Sequence, residues 1–563
     1  MYSTNPLKSD NRIEWLIGIL CIIVYTGNLF FPLLDKDAAH HANIALHMQQ
    51  TGDYFSLVDR EKDYLDKPHL LFWVTAGFSK IFGVTTIAHR LPALLFALLS
   101  VYCVYKLTRH LSDKTTARIA AIIIGTAQAF MFSIGDARME TPLTASIIFG
   151  LWQLILYVDR RKLINLVLGT LGVAAAFSTK GWLGPVVIFI SIFFRILLTR
   201  NWSVFANWKT WLFVPLFALF ISPVLYAYYV QYDLHPEKII RGRSNNSGVR
   251  FILWGQLFER YKGFDEGGRY SDPSFLFHTF LWAFFPWSII AYTAVFYWLR
   301  KMIIKKEWKH PVNFAVLSFA FILVALSFSK FKMPHYLIML FPLATISTAF
   351  FLRETMINYK WVRVFFPLQV VFAFLVVIAT LVMNYYFFKP TNWIMYLIGA
   401  ILLILFVWLV SKKELQKGMK LIYLSAFVSL FFNLLMNYNF FPQLLKYQAG
   451  NEMAKMMKEG KVAAIPDSSI MLIETHAHSF DYYLGYCHRV APIEEFEQIY
   501  SANTDKYFLL NKGDRNKLQE RGYHIEPVIS LRDYNVARMN LRFLNPTTRD
   551  KKLDTLLLAR IYK

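Results

Sequence analysis

Thirteen apolar runs, each near the roughly 20 residues that a helix needs to cross a bilayer core, decide what this 563-residue chain can become. They lie near 13–33, 87–107, 115–134, 141–158, 163–179, 181–198, 210–230, 275–298, 312–329, 335–352, 363–386, 392–410 and 420–441. In lipid a segment must satisfy its own backbone, so such runs predict helices. The expected fold is a polytopic α-helical membrane protein with about 13 transmembrane helices. Composition agrees: 56% of residues are hydrophobic and 17% charged, which excludes a string of soluble domains. The first run follows Lys8 and Arg12 and ends in Phe30-Phe31-Pro32, so it reads as a retained anchor rather than a cleaved signal.

A net charge of +23 would elsewhere suggest nucleic acid. Here the cations sit in alternate short loops: Lys106/Arg109/Lys114, Arg160/Arg161/Lys162, Arg195/Arg200/Lys209, Arg300 to Lys309, Arg353/Lys360/Arg363 and Lys412 to Lys420. That is the positive-inside pattern, so no nucleic-acid partner is expected. It places the N-terminus in the cytoplasm and the other loops outside, in the periplasm of a multi-pass inner-membrane protein. Three cysteines, two of them in spans, make no disulfide framework or cysteine metal site.

The outer side carries charge of both signs. Between Asp35 and Asp66 stand seven acidic residues, among them Asp37 and Asp53. Carboxylates at the rim of a bilayer are costly and mark function. Asp37 can serve as a general base for an acceptor hydroxyl, or Asp35 or Asp37 can N-cap the helix that follows. The turn Asp136-Ala137-Arg138-Met139-Glu140 either pairs its own charges or lines a cavity. Lys67, Lys180, Lys330 and Lys332 are outer lysines against the inside bias, suited to a lipid-linked phosphate. The loop 231–274, rich in arginine and including Arg260, is long enough to be a lid. Residues 69–83 have an apolar helical face (Phe72, Trp73, Phe78, Ile81, Phe82) and are placed along the interface. The outer loop 34–83 and the thirteen spans make a domain over 1–441. Beyond it, 442–563 alternates short strand-like runs (Ser469–Ile473, Tyr507–Leu510, Leu556–Ile561) with polar helical segments, a small soluble α/β domain on the outer side.

His40-His41 and His476-x-His478 with Cys487-His488 lack a zinc spacing. No Walker loop or GxGxxG is present, so the energy for chemistry arrives in an activated substrate.

Several stretches in order resemble one family: Asp37-Ala38-Ala39-His40-His41-Ala42-Asn43 with Thr51-Gly52-Asp53-Tyr54, then Tyr64-Leu65-Asp66-Lys67-Pro68, Ala137 to Leu143, Ser178-Thr179-Lys180-Gly181, Phe285-Pro286-Trp287 and Lys330-Phe331-Lys332-Met333-Pro334-His335-Tyr336. Together these are similar to the membrane glycosyltransferases of the GT-C type. They are nearest the lipid A aminoarabinose transferases (ArnT) and the protein O-mannosyltransferase-like (PMT) proteins. The resemblance implies the GT-C fold and a polyprenyl-phosphate-linked sugar donor. It also implies transfer on the periplasmic side to lipid A, another glycolipid or a protein, by a monomer. Carried over by position, Asp37 is the principal catalytic carboxylate, Glu140 the second acidic position with Asp136 and Arg138 beside it, and Lys67 the lysine of the first loop. Arg260 and Lys332 hold the donor phosphate, with Lys330, Arg138 and Lys180 near it. The sequence departs from the pattern at Ala38, His41, Asn43, Asp66, Glu140 and Tyr270-Ser271-Asp272-Pro273. A divalent ion is either absent from the reaction or held by residues such as Asp66 and His41. Two other classes fit a multi-span chain: a secondary transporter, which would carry its ionisable groups at mid-membrane with repeat symmetry, and a non-catalytic envelope scaffold, which would not need the outer Asp37, Glu140 and Lys67.

Overall fold

A computed structural model of the chain describes residues 10–34, 37–239, 244, 247–256, 272–355, 359–462, 465–475, 477–502 and 506–563. Asp35, Arg241, Arg243, Glu259, Arg260, Arg269, Tyr270, Ser271 and His476 lie outside them.

Every predicted apolar run is mostly helical. Among the described residues eight helices are long and apolar enough to cross a membrane: Thr86–Leu111, Glu140–Arg160, Leu163–Lys180, Trp208–Asp233, Pro334–Thr355, Trp361–Phe387, Trp393–Ser411 and Lys417–Tyr447. A ninth follows if Lys114–Gly125 and Gln128–Asp136, bent by 53° at their junction, count as one span. The expected count of thirteen is not reached by length. The remaining runs are shorter helices, Asn11–Gly27, Leu183–Thr199 and Asn313–Ser327, and the predicted single span 275–298 is two helices, Phe275–Ala283 and Ser288–Ile304.

In chain order the elements that matter for function are α1 (Asn11–Gly27), α2 (Asp37–Thr51), a two-stranded hairpin of β1 (Val58–Asp59) and β2 (Lys62–Asp63), α3 (Leu70–Phe82), α4 (Thr86–Leu111), α5 (Lys114–Gly125), α6 (Gln128–Asp136), α7 (Glu140–Arg160), α8 (Leu163–Lys180) and α9 (Leu183–Thr199). Thr85 caps α4 by accepting from Ala88 N, and Asp113 caps α5 by accepting from Thr116 N. At the α5–α6 bend the freed polar groups are met inside the bundle. Trp287 donates to Thr126 Oγ1 at 3.0 Å, and Gln128 exchanges side-chain hydrogen bonds with Asn433. Helices α7 and α8 approach closely because Gly150 faces Gly172; a Cβ on Gly172 would lie 2.5 Å from the Gly150 Cα. Gly181 separates α8 from α9 in a conformation (φ +61°) that favours glycine, and a Cβ there would strike Gln256.

Beyond the helices a five-stranded sheet runs in the order β4-β3-β5-β7-β6, from β3 (Ile470–Ile473), β4 (Val490–Ala491), β5 (Tyr507–Asn511), β6 (His524–Asp533) and β7 (Asp554–Tyr562). Strands β4, β3 and β5 pair in parallel; β7 joins β5 and β6 antiparallel. Three of these strands fall on the predicted runs. Edge strand β6 does not; it contains Pro527, which is tolerated because an edge strand leaves N–H groups unpaired.

The hairpin locks this sheet domain to the acidic loop. Its two turn residues, Arg60 (φ +49°) and Glu61 (φ +68°), are both left-handed, the geometry of a tight two-residue hairpin turn that normally selects Asn-Gly. Arg60 holds the strained turn by plugging into the sheet domain, its Nε donating to Asp481 Oδ2 at 2.7 Å and its Nη2 in ion-pair contact with the same oxygen at 2.7 Å. Asp481 in turn accepts from His488 at 2.8 Å, and all three side chains are buried.

His69 closes the loop from below. It is fully buried, and its Nε2–H donates to Phe55 O at 2.8 Å while Nδ1 has no partner among the described residues. Burial pushes its imidazole down to about 4, against the hydrogen bond to Phe55 and the charge of Asp53. The unfolded chain therefore takes up this proton first as pH falls. The His69 contribution is whole above about 6.5 and is lost towards about 4, on the order of 3 kcal/mol in total. Thermal unfolding followed against pH will show a shallower acid limb for His69→Leu than for the parent; parallel limbs would remove His69 as the cause.

Candidate active site

The turn between α6 and α7 is strained by design. Ala137 ends α6 in the left-handed region (φ +46°, ψ +41°), which an alanine adopts only where its surroundings insist. This reversal sets Asp136, Arg138 and Glu140 at the same rim. Asp37 opens α2 as its first residue, not as the cap. Arg138 bridges the two elements: Nη1 reaches Asp37 Oδ2 at 3.0 Å, and Nε pairs with Asp136. Burial alone would push the Arg138 guanidinium down, but Asp136, Asp37 and Glu140 hold it above its ordinary value. Asp136 is buried and Asp37 half-exposed, with 49% of its side chain open.

Glu140 takes a different partner. It forms a buried ion pair with Lys180 of α8 at 2.7 Å, and His335 lies 3.6 Å from the same oxygen. The Lys180 ammonium also sits 4.8 Å above the Tyr336 ring. Lys67 is half-buried, and its charge acts on both His41 and His335. Lys332 is buried and donates to two backbone carbonyls, Asp272 O at 3.0 Å and Ser327 O at 2.5 Å. Lys330 is exposed. Three of the predicted cationic positions thus split: Arg138 joins the carboxylates, while Lys180 and Lys67 gather around Glu140 and His335. Arg260 lies outside the described residues.

A cavity of about 860 Å³ opens on the first group. Asp37, His40, Asp136 and Arg138 line it from the helices; Glu474, His478, Asp533 and Asp554 line it from the sheet domain. His40 Nε2 lies 2.9 Å from Asp59 Oδ2, and its ring stacks 4.9 Å from that of His478. Burial pushes the Asp59 carboxyl up, and the hydrogen bond and charge of His40 outweigh it, leaving it below the usual range.

His41 is buried; burial, with the charges of His40 and Lys67, keeps its imidazole well below its ordinary value. Asp66 is half-buried, and its backbone oxygen accepts from Gln256 at 2.9 Å. Among the described residues no three His, Cys, Asp or Glu side chains come together as a metal set.

Two contributors were not singled out from the sequence. Arg90, fully buried near the start of α4, donates to Asn28 O and Pro32 O at 2.8 Å and also to Phe31 O. It fixes the segment that leads into Asp37. An ionisable residue inside an apolar run was the available signal. His335 was visible only as part of a motif.

Residues 66–227 match the family described as dolichyl-phosphate-mannose-protein mannosyltransferase. Over 422 residues the chain is 25% identical to an uncharacterized protein of Aquifex aeolicus, covering 74% of this chain and 77% of that one. It is 24% identical to the undecaprenyl phosphate-alpha-4-amino-4-deoxy-L-arabinose arabinosyl transferase 2 of Proteus mirabilis, over 68% of this chain and 69% of that protein. Its structure superimposes on ArnT from Cupriavidus metallidurans bound to undecaprenyl phosphate with a TM-score of 0.75, at 15% identity and 98% coverage of both chains. The oligosaccharyltransferase of Archaeoglobus fulgidus follows at a TM-score of 0.50 and 12% identity, over 89% of this chain and 69% of that one.

Proposed function

We propose that this chain is a GT-C membrane glycosyltransferase of the ArnT/PMT-like type, and that it transfers its sugar as follows. The donor is a sugar on a polyprenyl phosphate. An acceptor oxygen attacks the anomeric carbon and the carbon–phosphate-oxygen bond breaks, with inversion. Polyprenyl phosphate leaves with the bonding pair. Asp37, half-exposed at the cavity and within reach of solvent, orients the acceptor and takes its proton. Arg138 holds Asp37 and Asp136 at fixed spacing. Lys180, Lys67 and Lys332 meet the charge that develops on the leaving phosphate, the electrostatic part that usually dominates such transfers. Glu140 positions Lys180 and His335, since both its charge and its burial are already taken up by that pair.

The observation that carries this reading is the division of charge at one rim. A carboxylate group opens on a cavity, and a lysine group lies beside it on the turn that bears both Arg138 and Glu140. The short helices α1, α9, Asn313–Ser327 and the broken 275–304 pair complete thirteen membrane passages by packing in the bundle or tilting. The N-terminus is cytoplasmic, α3 lies along the interface, and 442–563 is a periplasmic domain. The protein works as a monomer in the inner membrane on an acceptor that is lipid A, another glycolipid or a secreted protein.

The direct test uses full-length protein in nanodiscs. The donor is the undecaprenyl-phosphate sugar fraction extracted from cells lacking the gene, and the acceptor is envelope material from the same cells. Release of undecaprenyl phosphate that requires both protein and acceptor supports transfer. Unchanged donor under all conditions rejects it.

A further inference from the structure

The loop that leaves β6 is pinned to the ends of two spans. Arg549 is buried and donates to Phe387 O at 2.7 Å, at the last residue of the span Trp361–Phe387. The same guanidinium donates to Phe543 O at 3.0 Å and Leu544 O at 2.8 Å within the loop, and lies 4.3 Å over the Phe388 ring. Tyr534 N donates to Tyr447 O at 2.8 Å, where the span Lys417–Tyr447 ends. Val536 and Phe543 are buried in one cluster with Phe388, Phe440 and Leu444. The loop is therefore held at the height of the span ends.

The side chains beside that junction mark a bilayer boundary. Tyr386 and Trp393, 54% and 71% exposed, flank Phe387 and Phe388 in sequence. Aromatic residues left open at the ends of spans sit at the level of the headgroups. At this height the loop shows Leu541, 76% exposed, the most exposed large apolar side chain among the described residues, with Met539 at 42%. Arg538 and Arg542 stand on either side of them, both exposed and neither with an ion-pair partner among the described residues. Lys551, Lys552 and Lys389 are exposed as well, whereas Asp550 is taken by Arg532 at 2.9 Å. A lone exposed leucine is ordinary surface. An apolar tip set between cations at the bilayer boundary is the composition of an interfacial anchor.

We propose that residues 538–542 dock the sheet domain onto the membrane: Leu541 and Met539 enter the leaflet at the span ends, and Arg538 and Arg542 bind anionic headgroups of that bilayer. The inference goes beyond sugar transfer and does not rest on it. The same loop lines the cavity beside Asp37 through Tyr534, Asn535, Val536, Ala537 and Met539, so docking ties one wall of that cavity to the bilayer surface.

The test uses the full-length chain in nanodiscs, with an encoded environment-sensitive fluorescent amino acid in place of Leu541 or, as control, in place of Glu520. Glu520 precedes β6, and that strand carries the chain about 30 Å from His524 to Asp533, where the loop begins. In discs containing phosphatidylglycerol, lipids with a nitroxide below the headgroup are expected to quench the fluorophore at 541 and not at 520. The depth should be roughly 5–10 Å into the headgroup and acyl boundary. Quenching should weaken in pure phosphatidylcholine. Arg538→Gln with Arg542→Gln, both on exposed side chains, should lower the docking equilibrium about tenfold or more in the anionic discs, with the thermal unfolding midpoint unchanged. No quenching at 541 in either lipid overturns the proposal. Equal quenching in both lipids that survives loss of the two arginines overturns the recognition of anionic headgroups. Blue-shifted emission that lipid quenchers do not reach, and that needs two copies of the chain per disc, assigns the patch to a second copy and likewise overturns it. None of these readouts involves sugar transfer, so a failed glycosyltransferase reading leaves the test standing.

Discussion

Asp37→Asn lowers kcat for sugar transfer by about 10²- to 10⁴-fold, the span removed when a positioned general base is lost, and leaves the protein folded. The substitution is nearly isosteric and the side chain is half-exposed, so little packing changes. Arg138 keeps its pairing with Asp136 and stays in place. What disappears is the negative charge at the cavity mouth that we propose orients the acceptor and receives its proton. In the proposed arrangement the donor meets the lysine group, not Asp37, so its KM should move far less than kcat. A thermal unfolding midpoint within a degree or two of the parent, together with the collapse in kcat, is the expected pair of results. Full activity in this variant would assign the base elsewhere.

The second large effect is on stability. Lys180→Met strands Glu140, a buried carboxylate only 5% exposed, without its cation. Breaking one side of a buried ion pair costs roughly 3–5 kcal/mol. His335 at 3.6 Å offers partial compensation by taking up a proton. The double variant Glu140→Gln, Lys180→Met removes both charges and recovers most of the loss, because an uncharged pair of similar volume carries no unpaid desolvation. Midpoints of thermal inactivation for the parent, both single variants and the double variant form the cycle that measures this coupling. The double variant also separates two roles of Lys180. If the ammonium meets the leaving phosphate, the double variant is stable yet slow. A stable and fully active double variant would make Lys180 structural only.

The sequence marks the residues of the site better than their pairing. Asp37, Asp136, Arg138, Glu140 and Lys180 stand out because charge beside apolar runs is costly, and that cost is legible one residue at a time. That Arg138 turns towards Asp37 rather than Glu140 depends on the left-handed Ala137, and nothing in an alanine announces a positive φ. Glu140 and Lys180 are forty residues apart on separate helices, and only the close α7–α8 contact at Gly150 and Gly172 brings them together. The apolar runs were legible by length, but helix ends were not. The segment Phe284–Trp287 reads as continuous apolar sequence and is a break, with Phe285 O taken by Gln128 N at 2.9 Å. The hairpin at Arg60-Glu61 carries no turn residue because its strain is held by Asp481, more than four hundred positions away. The sheet domain's part in the cavity was hidden for the same reason: Glu474, Asp533 and Asp554 are ordinary surface acids until the fold sets them opposite Asp37.

The most direct measurement of the central claim is mass spectrometry of envelope lipids and secreted glycoproteins. It compares cells that lack the gene, cells that carry it, and cells that carry Asp37→Asn. A sugar present on one lipid or protein in the parent, and missing from both other strains while its polyprenyl-phosphate donor accumulates, is the predicted result. Identical pools in all three strains, with both proteins inserted in the membrane, would contradict it.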